Sequence, residues 1–174
     1  MTSEEENAAI IHALHARLDE LGIAVEVLPY PAHDTVEEGK TLRGDMAGTF
    51  TKNLALKDKK GRMYLVTAHE DRDIDLKTLH RRIGASGRLG FVSPERMIAT
   101  LGVGPGALTP LARIAKAARE VSIVIDAGLM EVEQLNFHPL VSTQSVGLAP
   151  AALVGFLRSC GCEPIIAEMT GTPG

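Results

Sequence analysis

Apolar residues recur along the chain at two different periods, and the changes between them outline the elements of a fold. Ile11, Leu14, Leu18 and Leu21 fall at helical spacing behind an acidic start of Glu4, Glu5 and Glu6, and Gly22 closes the segment. Thr2 or Ser3 is placed to cap it. Residues 24–28 read as a strand stopped by Pro29 and Pro31, and Thr35 followed by Glu38 has the form of a capping box for a short helix. Residues 52–56 and 63–68 are two strand-like runs joined by a turn over 58–61, hence a hairpin. A helix over 75–83 ends at Gly84, a short strand covers 89–92, and Ser93 with Pro94 opens a further helix that Gly102 terminates. Residues 110–120 have helical spacing rich in Ala. The almost unbroken apolar run 121–125 marks a strand covered on both faces, hence a central one. Strands at 137–141 and 145–148, an amphipathic helix over 150–160 closed by Gly161, and a last strand at 164–167 complete the chain.

Helices and strands are intermixed, and the hairpin excludes an all-parallel sheet. The expected fold class is therefore α/β (mixed): a single mixed, largely antiparallel β-sheet surrounded by helices, in one domain over residues 1–174.

Composition narrows the function. Aromatic residues are 3% of the chain and Trp is absent, so the core is built from Leu, Ile, Val, Ala and Met, and extensive base stacking is disfavoured. No apolar run approaches 18 residues and the acidic start lacks the form of a signal peptide, so a cytoplasmic protein with no membrane partner is expected. Cys160 and Cys162 are too close in sequence for an ordinary disulfide and lack the partners of a zinc site, and read as plain thiols. The net charge of −4 hides an asymmetry: residues 52–119 hold 14 Lys/Arg against 6 Asp/Glu, while the rest hold 4 against 16. A basic centre in an acidic protein is a local footprint for phosphate, or else a set of solvated helix faces and turns.

Three segments carry the candidate chemistry. Lys52 and Asn53 put a cation and an amide at the start of a strand, where an ammonium can neutralise phosphate or developing charge and an amide can both donate and accept. The run Gly102 to Pro110 is a Gly/Pro loop whose backbone N–H groups can approach a ligand, stiffened by Pro105 and Pro110. Its spacing is wrong for a dinucleotide fingerprint and no Gly-Lys-Ser/Thr follows. Asn136, Phe137, His138 and Pro139 form the third segment, in which His138 either positions a substrate group or water, or fixes a strand end. None of the three holds a strong nucleophile, so together they suit a site that holds a reactive ester and its phosphate rather than attacking it covalently. Asp71, Asp73 and Asp75 alternate like part of a calcium loop but lack its Gly and closing Glu, and His12, His15, His33, His69 and His80 lack metal-ligand spacing.

These segments resemble the YbaK/prolyl-tRNA synthetase-associated editing domain family, in its free-standing ProX-like branch, over nearly the whole chain. Gly106 to Pro110 matches the family's Gly-x-x-x-Pro loop. Ala55 stands where the family pattern has an aromatic residue, and the stretch from Val141 to Val146 matches only in part, with Ser142, Thr143 and Ser145 as polar substitutes. The resemblance implies a hydrolase without a metal or other cofactor, which cleaves mischarged Ala-tRNA(Pro) by positioned water attack on the ester. It implies Lys52, Gly106 and His138 as catalytic residues and Asn53, Ala107, Thr109, Pro110 and Phe137 as substrate-binding residues. The basic hairpin residues Lys57, Lys59, Lys60 and Arg62, with Arg81 and Arg82, are then candidates for tracking the tRNA acceptor stem. The expected partner is the tRNA(Pro) acceptor end, with prolyl-tRNA synthetase as a further candidate. Cys-tRNA(Pro) hydrolysis, a non-catalytic tRNA-binding module, and a small-molecule or nucleotide binder using the Gly/Pro loop alone are the competing readings.

Overall fold

The structure, a computed structural model, describes residues 3–29, 31, 36–44 and 46–169. Its helices are α1 (Ser3–Glu20), α2 (Val36–Leu42), α3 (Leu79–Ile83), α4 (Pro94–Leu101) and α5 (Pro150–Ser159). Its strands are β1 (Glu26–Pro29), β2 (Thr49–Lys57), β3 (Met63–His69), β4 (Gly90–Phe91), β5 (Ser122–Asp126), β6 (Leu135–Phe137), β7 (Gln144–Leu148) and β8 (Ile165–Ala167). The strands form one mixed sheet in the order β1-β7-β6-β2-β3-β5-β8, with β4 added to β2. Four pairings are antiparallel (β1–β7, β6–β7, β2–β3, β2–β4) and three are parallel (β2–β6, β3–β5, β5–β8). The expected fold class is thus the observed one. The run around β5 is covered on both edges, by β3 and β8, as its apolar character requires.

Two hydrophobic layers lie on the two faces of the sheet. Ala55, Leu65, Ile123, Ile125, Leu135, Phe137 and Val146 point into the larger layer, against Leu14 and Leu18 of α1 and Leu153, Phe156 and Leu157 of α5. Leu56, Tyr64, Val66, Ala68 and Val124 point into the smaller one, against Leu79 and Ile83 of α3 and against Met169. Burying Leu14 and Leu18 contributes roughly 1.5–3 kcal/mol for each side chain, which holds α1 down despite its otherwise polar surface. Its end is a Schellman turn: Gly22 takes φ +67, its N–H donates to Asp19 O, and the Ile23 N–H donates to Leu18 O. Leu21, expected on the apolar face, is 41% exposed, because the chain is already unwinding there. Caps from Thr2 for α1 and Thr35 for α2, and His33, lie outside the described residues. No helix among the described residues is long and apolar enough to cross a membrane.

Several boundaries differ from expectation for local reasons. Residues 110–120 form two 3₁₀ turns, Pro110–Ile114 and Lys116–Ala118, rather than one helix. Helix α3 begins at Leu79, because the Asp75 side chain holds the preceding turn open: its carboxylate accepts from the Lys77 N–H and from Thr78 Oγ1 at 2.7 Å. The strand expected at 137–141 is instead Leu135–Phe137. Pro139 has no N–H to offer a ladder, and Leu140 takes φ +69, turning the chain away from the sheet. The start of β6 is fixed by side chains: Asn136 Nδ2 and Gln134 Nε2 both donate to Ala47 O, which draws the segment before β2 alongside β6.

Candidate active site

Strand β2 is paired along one edge with β3 from Thr51 to Lys57. Among the described residues, its other edge meets β6 at Thr49 and Phe50 and β4 at Leu56 and Lys57. Thr51 Oγ1 donates to Asn136 O at 2.8 Å and the Val92 N–H donates to Ala55 O, so the interruption narrows to Lys52, Asn53 and Leu54. Strand alternation decides which backbone groups face it. The Thr49 N–H and Ala55 O bond on this edge, whereas Phe50 O and the Asp58 N–H bond on the β3 side. The Asn53 N–H and C=O therefore point into the gap.

Side chains alternate the other way. Lys52 shares a face with Phe50, Leu54 and its partner Ala68, while Asn53 shares the opposite face with Thr51 and Thr67. The two neighbours expected to act as a pair thus lie on opposite faces of the sheet. Asn53 Oδ1 accepts a 2.6 Å hydrogen bond from the fully buried Thr67 hydroxyl, which orients the amide so that its NH₂ is directed away from Thr67. Lys52 is half-buried, and among the described residues no carboxylate lies within ion-pair distance of it. His138 is the first residue after β6. His138 Nδ1 lies 2.8 Å from Gln144 O, which assigns the ring proton to Nδ1 and pins the base of the 138–144 loop.

The Gly/Pro loop faces the far part of that same loop. Gly102 ends α4 at φ +74, Val103 and Leu108 anchor the loop in the larger core layer, and Pro105–Ala107 make a 3₁₀ turn between them. A shallow cavity of about 340 Å³ lies between Gly104 and Ala107 on one side and Val141, Ser142 and Thr143 on the other. A Cβ at Gly104 or Gly106 would meet nothing within 4 Å, so the fold does not itself demand glycine there and the space in front of the loop is open. The lining includes Ala107, Ser142 and Thr143 but not Lys52, Asn53, Gly106 or His138. Three expected substrate contacts are core residues instead. Phe137 is 3% exposed within the larger layer, Pro110 is buried, and Thr109 is fully buried with its hydroxyl accepting from the Leu111 N–H. They support the loop and the strand rather than face a ligand.

The basic residues do not form one face. Arg113 is buried and donates to Val121 O and Cys160 O, and Arg72 pairs with the buried Asp126 at 3.2 Å. Around Arg72 and Asp126, His69, Gly128, Leu129 and Val132 enclose a second cavity of about 340 Å³, which sequence reading missed. Its one signal was an acid closing the apolar run of β5, at the carboxyl end of parallel strands where crevices form. Lys57, Lys59, Lys60 and Arg62 stay together, because the turn between β2 and β3 is built on Asp58. That buried carboxylate accepts from the N–H groups of Lys60, Arg62 and Ser86 and from Arg62 Nε. Burial alone would raise its pKa, but the Ser86 and Arg62 donors outweigh burial and pull it to about 2. Arg81 and Arg82 stand on α3, a separate element. Among the described residues no group of three or more His, Cys, Asp or Glu side chains could hold a metal ion. Cys160 and Cys162 are free thiols at the end of α5, and burial raises the Cys160 pKa.

Comparison with known proteins agrees with this layout. A family model for the aminoacyl-tRNA editing domain matches residues 30–156. The chain is 39% identical over 158 residues to the prolyl-tRNA synthetase associated domain-containing protein 1 of Bos taurus, covering 88% of this chain and 92% of that one. It is 33% identical over 150 residues to the prolyl-tRNA editing protein ProX of Acetoanaerobium sticklandii, covering 86% and 91%. A crystal structure described as a candidate trans-editing enzyme for prolyl tRNA synthetase superposes with a TM-score of 0.71 at 19% identity, over 94% of this chain and 98% of that one, and so shares the fold.

Proposed function

Because the chain belongs to the YbaK/ProX-like family of prolyl-tRNA synthetase-associated trans-editing domains, we propose that it removes alanine from mischarged Ala-tRNA(Pro). The observation that carries this reading is the half-buried Lys52, with no carboxylate within ion-pair distance among the described residues, beside an interrupted strand edge that offers the Asn53 N–H. A cation and fixed backbone donors of this kind suit the terminal phosphate and the oxyanion of an ester under attack. Water adds to the ester carbonyl carbon and the carbonyl oxygen takes the negative charge, facing the Asn53 N–H and Lys52 at the interrupted strand edge. The bond to the ribose oxygen then breaks, that oxygen takes up a proton, and alanine and tRNA leave. His138, held through Nδ1, positions the amino group or the water. An aminoacyl ester is already activated, so positioning can supply much of the acceleration without a covalent intermediate.

The biological logic is a double sieve. A synthetase pocket shaped for proline excludes the smaller alanine by only a modest factor per missing methylene, and a second site that admits alanine and rejects proline corrects the error. The tRNA(Pro) acceptor end is the proposed partner, and the relatives' association with prolyl-tRNA synthetase makes that enzyme a second one. The test is hydrolysis of Ala-, Cys- and Pro-tRNA(Pro) by the purified protein and by Lys52→Ala. Release of alanine alone, abolished by the substitution while tRNA binding persists, supports the proposal. Release of cysteine alone moves the assignment to Cys-tRNA(Pro), and binding without any release moves it to a tRNA-binding module.

A further inference from the structure

Phe91 is 62% exposed, a heavy exposure for an aromatic side chain in a protein with so few of them. It is held there by register. β4 is a two-residue strand, and Phe91 pairs with Leu56 of β2, so it projects on the same face of the sheet as Leu54 and Lys52. Four residues of strand separate Lys52 from Leu56, a span of about 13 Å. Phe91 also stands among cations. Residues 57–62 and 88–96 carry six Lys/Arg against Asp58 and Glu95, and the Asp58 carboxylate is consumed by its own turn.

These two segments are fastened together. The Lys59 N–H donates to Ser86 O, the Lys59 side chain lies against Gly87, and Arg96 Nη2 donates to Gly61 O at 2.6 Å. The hairpin tip and the loop before β4 are therefore held together next to Phe91, with Lys60, Arg62 and Arg88 exposed on them, while Lys57, one residue from Leu56, points to the opposite face of the sheet.

We infer that Phe91 is a stacking platform for an unpaired nucleobase of the RNA, and that Lys60, Arg62, Arg88 and Arg96 grip the phosphates on either side. An aromatic face takes any base, and surrounding cations supply affinity without sequence choice. The occupant is a single-stranded RNA end rather than a second copy of this chain: the patch is strongly positive, and a copy would bring the same charge to it. The inference rests on the aminoacyl-tRNA reading and assigns a path to that substrate, with the single strand running from this patch past β4 to the open edge of β2 at residues 52–54.

The test is fluorescence anisotropy with two RNA hairpins, one ending in a single-stranded 3′ tail and one blunt. Phe91→Ala should weaken binding of the tailed hairpin about tenfold and leave the blunt one unchanged, and Phe91→Trp should retain tailed binding. Substituting Lys60 and Arg88 together should weaken both and reduce the salt dependence. Equal affinity of Phe91→Ala for the tailed hairpin, or equal loss on both hairpins, overturns the inference. So does a concentration-dependent dimer that Phe91→Ala dissolves while RNA binding stays intact. Tail-dependent binding without ester hydrolysis would sink the deacylase reading alone, and hydrolysis by Phe91→Ala at unchanged KM would sink this one alone.

Discussion

Thr67 never touches solvent, yet it should control the reaction through Asn53. Its hydroxyl donates to Asn53 Oδ1 at 2.6 Å, across the β2–β3 pair at Asn53↔Thr67. Thr67→Val keeps the branched shape and removes the donor. The net loss of such a bond is about 1 kcal/mol, and because Asn53 is only half-buried, water can take over part of it. In a domain of this size that lowers Tm by roughly 2–4 °C, a small change to the fold. The effect on catalysis should be larger. Without Thr67 the Asn53 amide can turn over, exchanging donor for acceptor, and misplaced groups of this kind cost up to about a hundredfold. We expect kcat on Ala-tRNA(Pro) to fall at least about tenfold, or about 1.4 kcal/mol, with KM little changed. A cycle of Thr67→Val, Asn53→Ala and the double variant, assayed by steady-state deacylation, isolates the coupling. If Thr67 acts through Asn53, Thr67→Val should cost nothing further once Asn53→Ala is present. Equal cost in both backgrounds, or a lowered Tm with unaltered kcat, would refute the reasoning and leave Thr67 a structural residue.

Three further perturbations have defined outcomes. Lys52→Ala should reduce kcat/KM for deacylation by about 10²–10³-fold with the Tm nearly unchanged, read by single-turnover kinetics and thermal melts. Asp58, with its pKa drawn from 3.8 to about 2, contributes stability that is fully present above about pH 4 and is lost as pH falls through about 2. Urea midpoints between pH 5 and pH 2 should therefore drop more steeply for the wild type than for Asp58→Asn, and parallel curves would contradict the assignment. Gly147→Ala should destabilise the protein by about 1–3 kcal/mol, because a Cβ there would overlap the Gln134 amide and come within 2.7 Å of Asn136 Oδ1; a chemical denaturation curve matching the wild type would show that the bracket yields freely.

The sheet was legible where side-chain period and turn chemistry agree. The β2–β3 hairpin, the β5 run and the helix opened by Ser93 all carry such agreement, and Ser93 Oγ indeed accepts from the Arg96 N–H. What could not be read was register, since that is set by contacts distant in sequence. The strand expected at 137–141 failed because apolar residues continue past Phe137 while pairing is governed by Gln134, Asn136 and the carbonyl of Ala47. The same limit applied to the site. Lys52 and Asn53 were found by residue type, but only pairing shows that they face opposite sides. Phe137, Thr109 and Pro110 sit beside residues in open positions, and nothing in the local sequence separates those facing the core from those facing solvent. Phe91 and the Arg72–Asp126 cavity escaped notice for a related reason: each depends on which strand ends beside it.

An interruption in the sheet links fold to chemistry here, and each of its borders has a separate cause. Towards β6, Gly48 and Gly147 leave room for the Asn136 amide, whose bond to Ala47 O ties β2 to β6 at Thr49 and Phe50. The ladder cannot run further, because Pro139 lacks a donor and Leu140 turns at φ +69. Towards β4, the Val92 N–H closes on Ala55 O and Pro94 then starts α4. What remains is an opening three residues long. An open strand edge is ordinarily a liability for edge-to-edge association, but three residues are too few to template another strand, and the charged Lys52 within them opposes one. Among the described residues nothing pairs with the Asn53 N–H and C=O, which leaves them to a ligand. A continuous β2–β6 ladder would have engaged the Asn53 N–H and C=O within the sheet, so the same residues that stop strand pairing also open this candidate site.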